Sequence, residues 1–286
     1  MKYIVSPSKL YKRWRDGEVT VIDCRFVLGK PEEGAAAYET EHIPGAFYLD
    51  LEQDMSAPTK EGGQGGRHPL PDLQKLADKL ASFGVGPGKP VVGYDEQGGA
   101  MASRLWWLLT YMGHEEVYVL DGGLSAWKQA GYPVISGSPQ PGGAVEAADR
   151  WVPEVRSEMV ATAAYIEQRR RLIEAGAIVL IDSREDARYR GIAEPIDKKA
   201  GHIPGAKHWF WKANLDAEGR FRPVKEQMER FEPLQGVEEI IVYCGSGVTA
   251  CPNIVALREA GFTNVKLYAG SWSDWISDDS REIATK

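Results

Sequence analysis

The sequence predicts an α/β protein built from two tandem domains, each a mostly parallel sheet flanked by helices. Two observations carry that expectation. The first is an internal duplication in a constant order. "VIDCR" at 21–25 returns as "LIDSR" at 180–184, and "EHIPGA" at 41–46 as "GHIPGA" at 201–206. "VVGYD" at 91–95 returns as "IIVYC" at 240–244, and "VYVLDGGLSAW" at 117–127 as "VKLYAGSWSDW" at 265–275. The second is the alternation of segment types inside each copy. "VTVID" and "AIVLID" are short β-branched runs that end in an acid, "KPVVGYD" and "EEIIVYC" are runs of the same kind, and their continuous apolar centres suit strands covered on both faces. Between them run "DLQKLADKLASFG" and "ACPNIVALREAGF", with apolar residues at helical spacing and a glycine at the C-terminal end. Strands alternating with helices require a parallel sheet, because only a crossover connection returns the chain to the same edge.

A length of 286 residues suits two such domains. "SGSPQPGGAVEAAD" lies between the copies and is rich in Pro, Gly and Ala, as a linker would be. The expected division is residues 1–137, a linker over 138–152, and 153–286. No apolar run approaches the ~18 residues of a membrane span, and the N-terminus "MKYIVSPSKLYKRW" has no apolar signal core. Net charge is −7, which argues against nucleic acid or an anionic membrane as partner. The three cysteines, Cys24, Cys244 and Cys251, form no C-x-x-C pair, so neither a disulfide framework nor a zinc site is expected. Free thiols without an export signal point to a reducing cytoplasm. No cofactor or metal is called for, and a monomer is expected.

One turn breaks the apolar logic. The strand "EEIIVYC" ends at Cys244 and runs into Gly245, Ser246, Gly247, Val248 and Thr249 before a helix that starts near Ala250. Ligands in open α/β sheets bind at the carboxyl ends of strands. Gly245 and Gly247 are free to take positive φ and so let successive N–H groups converge. Thr249 suits a helix cap, and Pro252 falls in the first turn. Backbone donors and the positive helix end would then face the sulfur and stabilise it as an anion, either a thiolate or a persulfide. Cys251 reads as core, and Cys24, matched by Ser183, is assigned no chemistry. "GSGVTA" matches a dinucleotide fingerprint in form, but the next strand, "VKLYAG", lacks the acid that a ribose needs. A cysteine phosphatase would carry an arginine where this chain has Ala250. A phosphatase-like hydrolase and a non-turnover persulfide carrier or partner-binding module therefore stand as alternatives to an enzyme that transfers sulfur.

Asymmetry between the copies marks a second feature. The HIPGA histidines, His42 and His202, are 160 residues apart, while Asp95 and Cys244 are 149 apart. The first copy is thus 11 residues longer, and the excess holds "TKEGGQGGRHPLP" with Arg67 and His68. A glycine-rich insertion with a charged tip is a candidate functional loop.

The paired HIPGA turns, "IDCR" and "IDSR", and the "CGSGVTAC" loop together resemble the two-domain rhodanese sulfurtransferases, in order and over nearly the whole chain. The resemblance implies that Cys244 takes a sulfur atom from thiosulfate or 3-mercaptopyruvate and passes it as a persulfide to cyanide or a thiol such as thioredoxin. The first copy, with Asp95 in the cysteine position, would be catalytically silent. Gly245-Ser246 is similar to the 3-mercaptopyruvate branch, which implies Ser246, His68 and Asp50 as proton-transfer residues. It also implies Arg188 as a ligand of the donor's carboxylate, with Arg184 and Asp182 orienting the loop. Gly245, Gly247, Val248 and Thr249 would supply the backbone cradle. The branch's second carboxylate-binding arginine has no match. "EPIDKKAG" has Ile196 and Asp197 there, followed by Lys198 and Lys199, and a lysine lacks the bidentate fork.

Overall fold

The computed structural model describes residues 1–137 and 151–285. The chain forms two compact units. Met1–Ala57, Pro71–Arg156 and Leu215–Phe221 make the first, and Pro58–Leu70, Ser157–Asn214 and Arg222–Lys286 the second. Most of the expected linker lies outside the described residues. Trp151 near its end is buried in the first unit, edge-on to His114.

In the first unit, β1 (Ile4–Val5), β2 (Thr20–Asp23), β3 (Phe47–Tyr48), β4 (Val91–Tyr94) and β5 (Val117–Leu120) form a sheet in the order β1-β5-β4-β2-β3. Every pairing is parallel. In the second unit, β6 (Val160–Ala161), β7 (Ile178–Asp182), β8 (Lys207–His208), β9 (Glu239–Tyr243) and β10 (Val265–Tyr268) repeat that order as β6-β10-β9-β7-β8, again parallel throughout. The central strands β4 and β9 are buried along their whole length, which explains why they read as unbroken apolar runs. Val92, Tyr94, Leu120, Leu124 and Trp127 anchor one core, and Leu180, Ile241, Tyr243, Tyr268 and Trp272 the other.

The repeated motifs are repeated structures. After β2, the Arg25 guanidinium grips Asp23 through Nε and Nη2, and Nη2 also donates to the Glu41 carbonyl at 2.6 Å. After β7, Arg184 does the same with Asp182 and the Gly201 carbonyl. Both pairs are buried, and buried charges persist only where a partner and further hydrogen bonds compensate their desolvation. The HIPGA turns dock on the same pairs. Ile43 N donates to Tyr94 Oη, which donates to Asp23, and Ile203 N donates to Tyr243 Oη. Burial and the nearby Asp182 push the Tyr243 hydroxyl well above its usual pKa, so it stays a donor. His42 and His202 each place Nδ1 on a tyrosine carbonyl and stack on that tyrosine's ring.

At the end of β4 the Asp95 carboxylate fills a pocket of backbone donors. Gln97 N and Gly99 N donate to Oδ1, and Met101 N and Ala102 N to Oδ2, at 2.8–3.0 Å. Burial pushes this carboxyl's pKa up, and the four hydrogen bonds pull against that shift. Removing the side chain leaves buried N–H groups without an acceptor. We expect Asp95→Ala to lower the unfolding free energy by about 3 kcal/mol or more, measurable in urea unfolding.

His114 lies in the first unit with Nε2 on the Gly86 carbonyl at 3.2 Å and Nδ1 buried without an acceptor. Burial lowers its pKa from the usual 6.5. The unfolded chain therefore takes up this proton first as pH falls, so His114 contributes stability above about pH 6.5 that drains away below it. Unfolding curves from pH 7.5 to 5 should show that slope in the native chain and a shallower one in His114→Gln.

Candidate functional site

Cys244 follows β9 directly and is held from both sides of its peptide. Its N–H donates to Ser271 Oγ at 3.1 Å, and its carbonyl accepts from Trp272 N at 3.0 Å. Ser271 has φ 54°, the one non-glycine residue with positive φ among those described. The first copy has Gly123 at the matching place, with φ 59°. A serine in this region costs energy that an L-residue normally avoids. Here its hydroxyl makes two hydrogen bonds, the second to the Tyr268 carbonyl at 2.9 Å. The only sequence signal for Ser271 was a serine replacing a glycine between two copies.

The turn after Cys244 differs from expectation in three respects. Gly247 does take φ 76°, and a Cβ there would lie 2.3 Å from the Ala269 carbonyl oxygen. Gly245 has no positive φ. Its need is space, because a Cβ would stand 2.9 Å from Arg67 Nη2 and 3.4 Å from Arg188 Nη2. Thr249 does not cap the helix. Ala250 is the N-cap residue of Cys251–Glu259, without a side-chain cap bond, and Pro252 sits in the first turn. The third difference is burial: Cys244 is 1% exposed, whereas thiols made reactive by their setting are usually partly exposed. The insertion in the first copy folds with the second unit. Gly65 N donates to Asp274 Oδ1 at 2.7 Å and Arg67 N to Ser273 Oγ at 3.1 Å, so the loop is laid against the turn. Gly66, at φ 81°, leaves room for the Gly270 carbonyl.

That loop brings two of the sequence candidates together. His68 Nδ1 and Ser246 Oγ are 2.7 Å apart, with the residues 4% and 6% exposed. Val248 is buried beside them in the chain and Thr249 is half-buried. Asp50 belongs to the first unit, where it follows β3. Its Oδ1 accepts from Glu52 N and Gln53 N, and Tyr48 Oη donates to its Oδ2. Cys251 is core, and its thiol donates to the Gly247 carbonyl at 3.4 Å. Cys24 is also core, its thiol pKa raised well above the usual value by burial and then by Asp23 and Asp95.

The arginines form a chain of alternating charge. Arg184 bonds Asp182 and Glu194, Arg188 bonds Glu194 and Asp197, and Arg67 bonds Asp197. The Arg184 fork is engaged as that of Arg25 is in the first copy, and it also lies 4.6 Å over the Trp272 ring. That makes it architecture that supports the turn. Burial raises the Glu194 pKa, but its bonds from Arg188 and from the Asp197 and Ile196 N–H groups outweigh that and hold it below the usual range. Asp197 is raised, chiefly by burial, with Arg67 and Arg188 opposing. Of the lysines considered, Lys199 is occupied by Asp279. Sequence reasoning left Arg67 without a role; only the fold shows that it reaches Asp197. Among the described residues no three His, Cys, Asp or Glu side chains converge as metal ligands. No described helix is long and apolar enough to cross a membrane.

A family model for the rhodanese-like domain matches residues 6–130 and again 166–278. A Pseudomonas aeruginosa protein named "Probable 3-mercaptopyruvate sulfurtransferase" is 43% identical over 99% of this chain and 98% of its own. Human 3-mercaptopyruvate sulfurtransferase is 33% identical over 89% of this chain and 84% of its own, and chicken thiosulfate sulfurtransferase 30% over 95% and 93%. Among solved structures, the 3-mercaptopyruvate sulfurtransferase SseA of Escherichia coli matches with a TM-score of 0.78 at 30% identity, covering 95% of this chain and 99% of that one.

The two glycines of the turn should respond differently to alanine. Gly247→Ala meets backbone at a positive φ and should cost about 2 kcal/mol or more of stability. Gly245→Ala meets only the far ends of two arginines and should stay within about 1 kcal/mol of the native chain. Thermal unfolding of the pair checks this order.

Proposed function

Because the chain belongs to the two-domain rhodanese sulfurtransferases, we propose that Cys244 carries the transferred sulfur and that 3-mercaptopyruvate is the favoured donor. The observation that carries the reading is the duplicated turn. In the first unit its backbone N–H groups converge on a negative group, the Asp95 carboxylate. The repeat sets Cys244 in that position, with Ser246, Val248 and Ala250 matching the donors Gln97, Gly99 and Met101. A site that holds a carboxylate by main-chain hydrogens suits a thiolate or a persulfide equally.

The Cys244 thiolate attacks the donor's sulfur and an S–S bond forms as the bond behind it breaks. From thiosulfate, the breaking S–S pair leaves on sulfite. From 3-mercaptopyruvate, the breaking C–S pair leaves on carbon as the enolate of pyruvate, and the proton given up by the donor thiol must be returned there. A thiol acceptor such as thioredoxin, or cyanide, then attacks the outer sulfur and releases Cys244 as thiolate. Sulfite leaves as a stable anion, whereas an enolate needs a proton donor. The 2.7 Å His68–Ser246 pair supports the carbon-bound donor, since it is a proton-carrying couple beside the nucleophile's turn. The resemblance to the 3-mercaptopyruvate branch assigns Asp50 a part in proton transfer as well. Arg188 is assigned to the donor's anionic group.

Cys244→Ser should form no thiocyanate from either donor and cyanide. It should also lack the gain of about 32 Da expected on treatment of the native protein with donor alone. His68→Ala and Ser246→Ala should each lose about 10²-fold or more in kcat with 3-mercaptopyruvate and less than about 10-fold with thiosulfate. Equal losses with both donors would remove the proton role from this pair.

A further inference from the structure

Arg67 is placed for more than its ion pair. Nη1 pairs with Asp197 Oδ1, and Nη2 lies 2.9 Å from where a side chain of Gly245 would begin. Nε is buried and has no hydrogen-bond acceptor. A buried guanidinium N–H without an acceptor is costly, and a chain that retains one at the residue after its nucleophile points to an acceptor that arrives with a ligand. Arg188 approaches the same point, with Nη2 and Nη1 3.4 and 3.7 Å from that Gly245 position. Two guanidiniums thus converge beside Cys244, and the absent side chain at 245 keeps the space between them open.

Asp197 occupies that pair. Its Oδ2 accepts from Arg188 Nη2 at 2.9 Å while Oδ1 takes Arg67. The chain Asp182, Arg184, Glu194, Arg188, Asp197, Arg67 carries three negative and three positive charges, so it offers an incoming anion no net attraction. Asp197 is the one carboxylate in it that touches both guanidiniums near the nucleophile. Glu194 independently aims Arg188 through Nε at 2.9 Å and Nη2 at 2.8 Å, so Arg188 keeps its orientation without Asp197.

We propose that Arg67 and Arg188 form a two-guanidinium site for the donor's anionic group, and that Asp197 is its resident carboxylate, which the donor must displace. The proposal rests on the sulfurtransferase reading for its donor but not for its geometry. The donor brings a carboxylate or sulfonate that replaces Asp197 and also satisfies Arg67 Nε. A site filled by its own carboxylate has its apparent affinity reduced by the fraction of time it is filled. Asp197 is a positioning residue in this scheme, since it acts on the donor through the two arginines.

The test uses the full chain in a Cys244→Ser background, where no sulfur is transferred, and titrates pyruvate as a carboxylate probe by calorimetry. Asp197→Asn should tighten pyruvate binding by about tenfold, and adding Arg67→Ala to that protein should abolish the gain. With Cys244 restored, Asp197→Asn should lower the donor KM by about the same factor with kcat changed less than about twofold. Unchanged or weaker pyruvate binding in folded Asp197→Asn, or a gain that survives Arg67→Ala, would overturn the proposal. Because the binding arm needs no turnover, it can succeed while the donor assignment fails, or fail while sulfur transfer stands.

Discussion

The structure turns on backbone N–H groups that converge on one negative charge at the carboxyl end of a central parallel strand. In the first unit that charge is a fixed carboxylate, Asp95, and its four donors tie the turn shut. In the second unit the repeat puts Cys244 at the matching strand end. The strand end that is a structural lock in the first copy is, in the proposed function, the reaction cradle of the second. The chemistry differs because a carboxylate cannot act as a sulfur carrier, whereas a thiolate can.

Holding such a turn still is the task of what surrounds it. The buried Asp182–Arg184 pair, the Tyr243 hydroxyl on the HIPGA turn, and Ser271 under the Cys244 N–H are all rigid supports made of satisfied hydrogen bonds. Two of these have counterparts in the first unit, so they precede the chemistry and belong to the fold. Ser271 is the exception. The positive φ that glycine adopts freely at position 123 is kept by a serine at 271, and its hydroxyl accepts from the Cys244 N–H.

Much of the fold was legible in order and type. Fully buried parallel strands must be apolar throughout, and the duplication repeated each landmark, so strand, turn and helix could be placed by comparison within one chain. The site was legible where a motif was contiguous: Cys244, its glycine turn and the buried Cys251 are neighbours in sequence. The reason for Gly245 was misread, because an invading guanidinium from residue 67 leaves no local trace. The cap role given to Thr249 failed because the helix begins two residues later, at Cys251.

By itself the sequence determined the duplicated parallel α/β architecture, the Asp95 and Cys244 strand ends, and the family to which the chain belongs. All of these follow from short-range patterns, namely period, turn chemistry and internal repetition. Only the tertiary structure decided that the insertion of the first copy folds into the second unit, that it sets His68 on Ser246, and that it sends Arg67 to Asp197. Those contacts join residues 130 and 178 positions apart, and at such separations they depend on where a glycine-rich loop comes to rest, which no local propensity encodes.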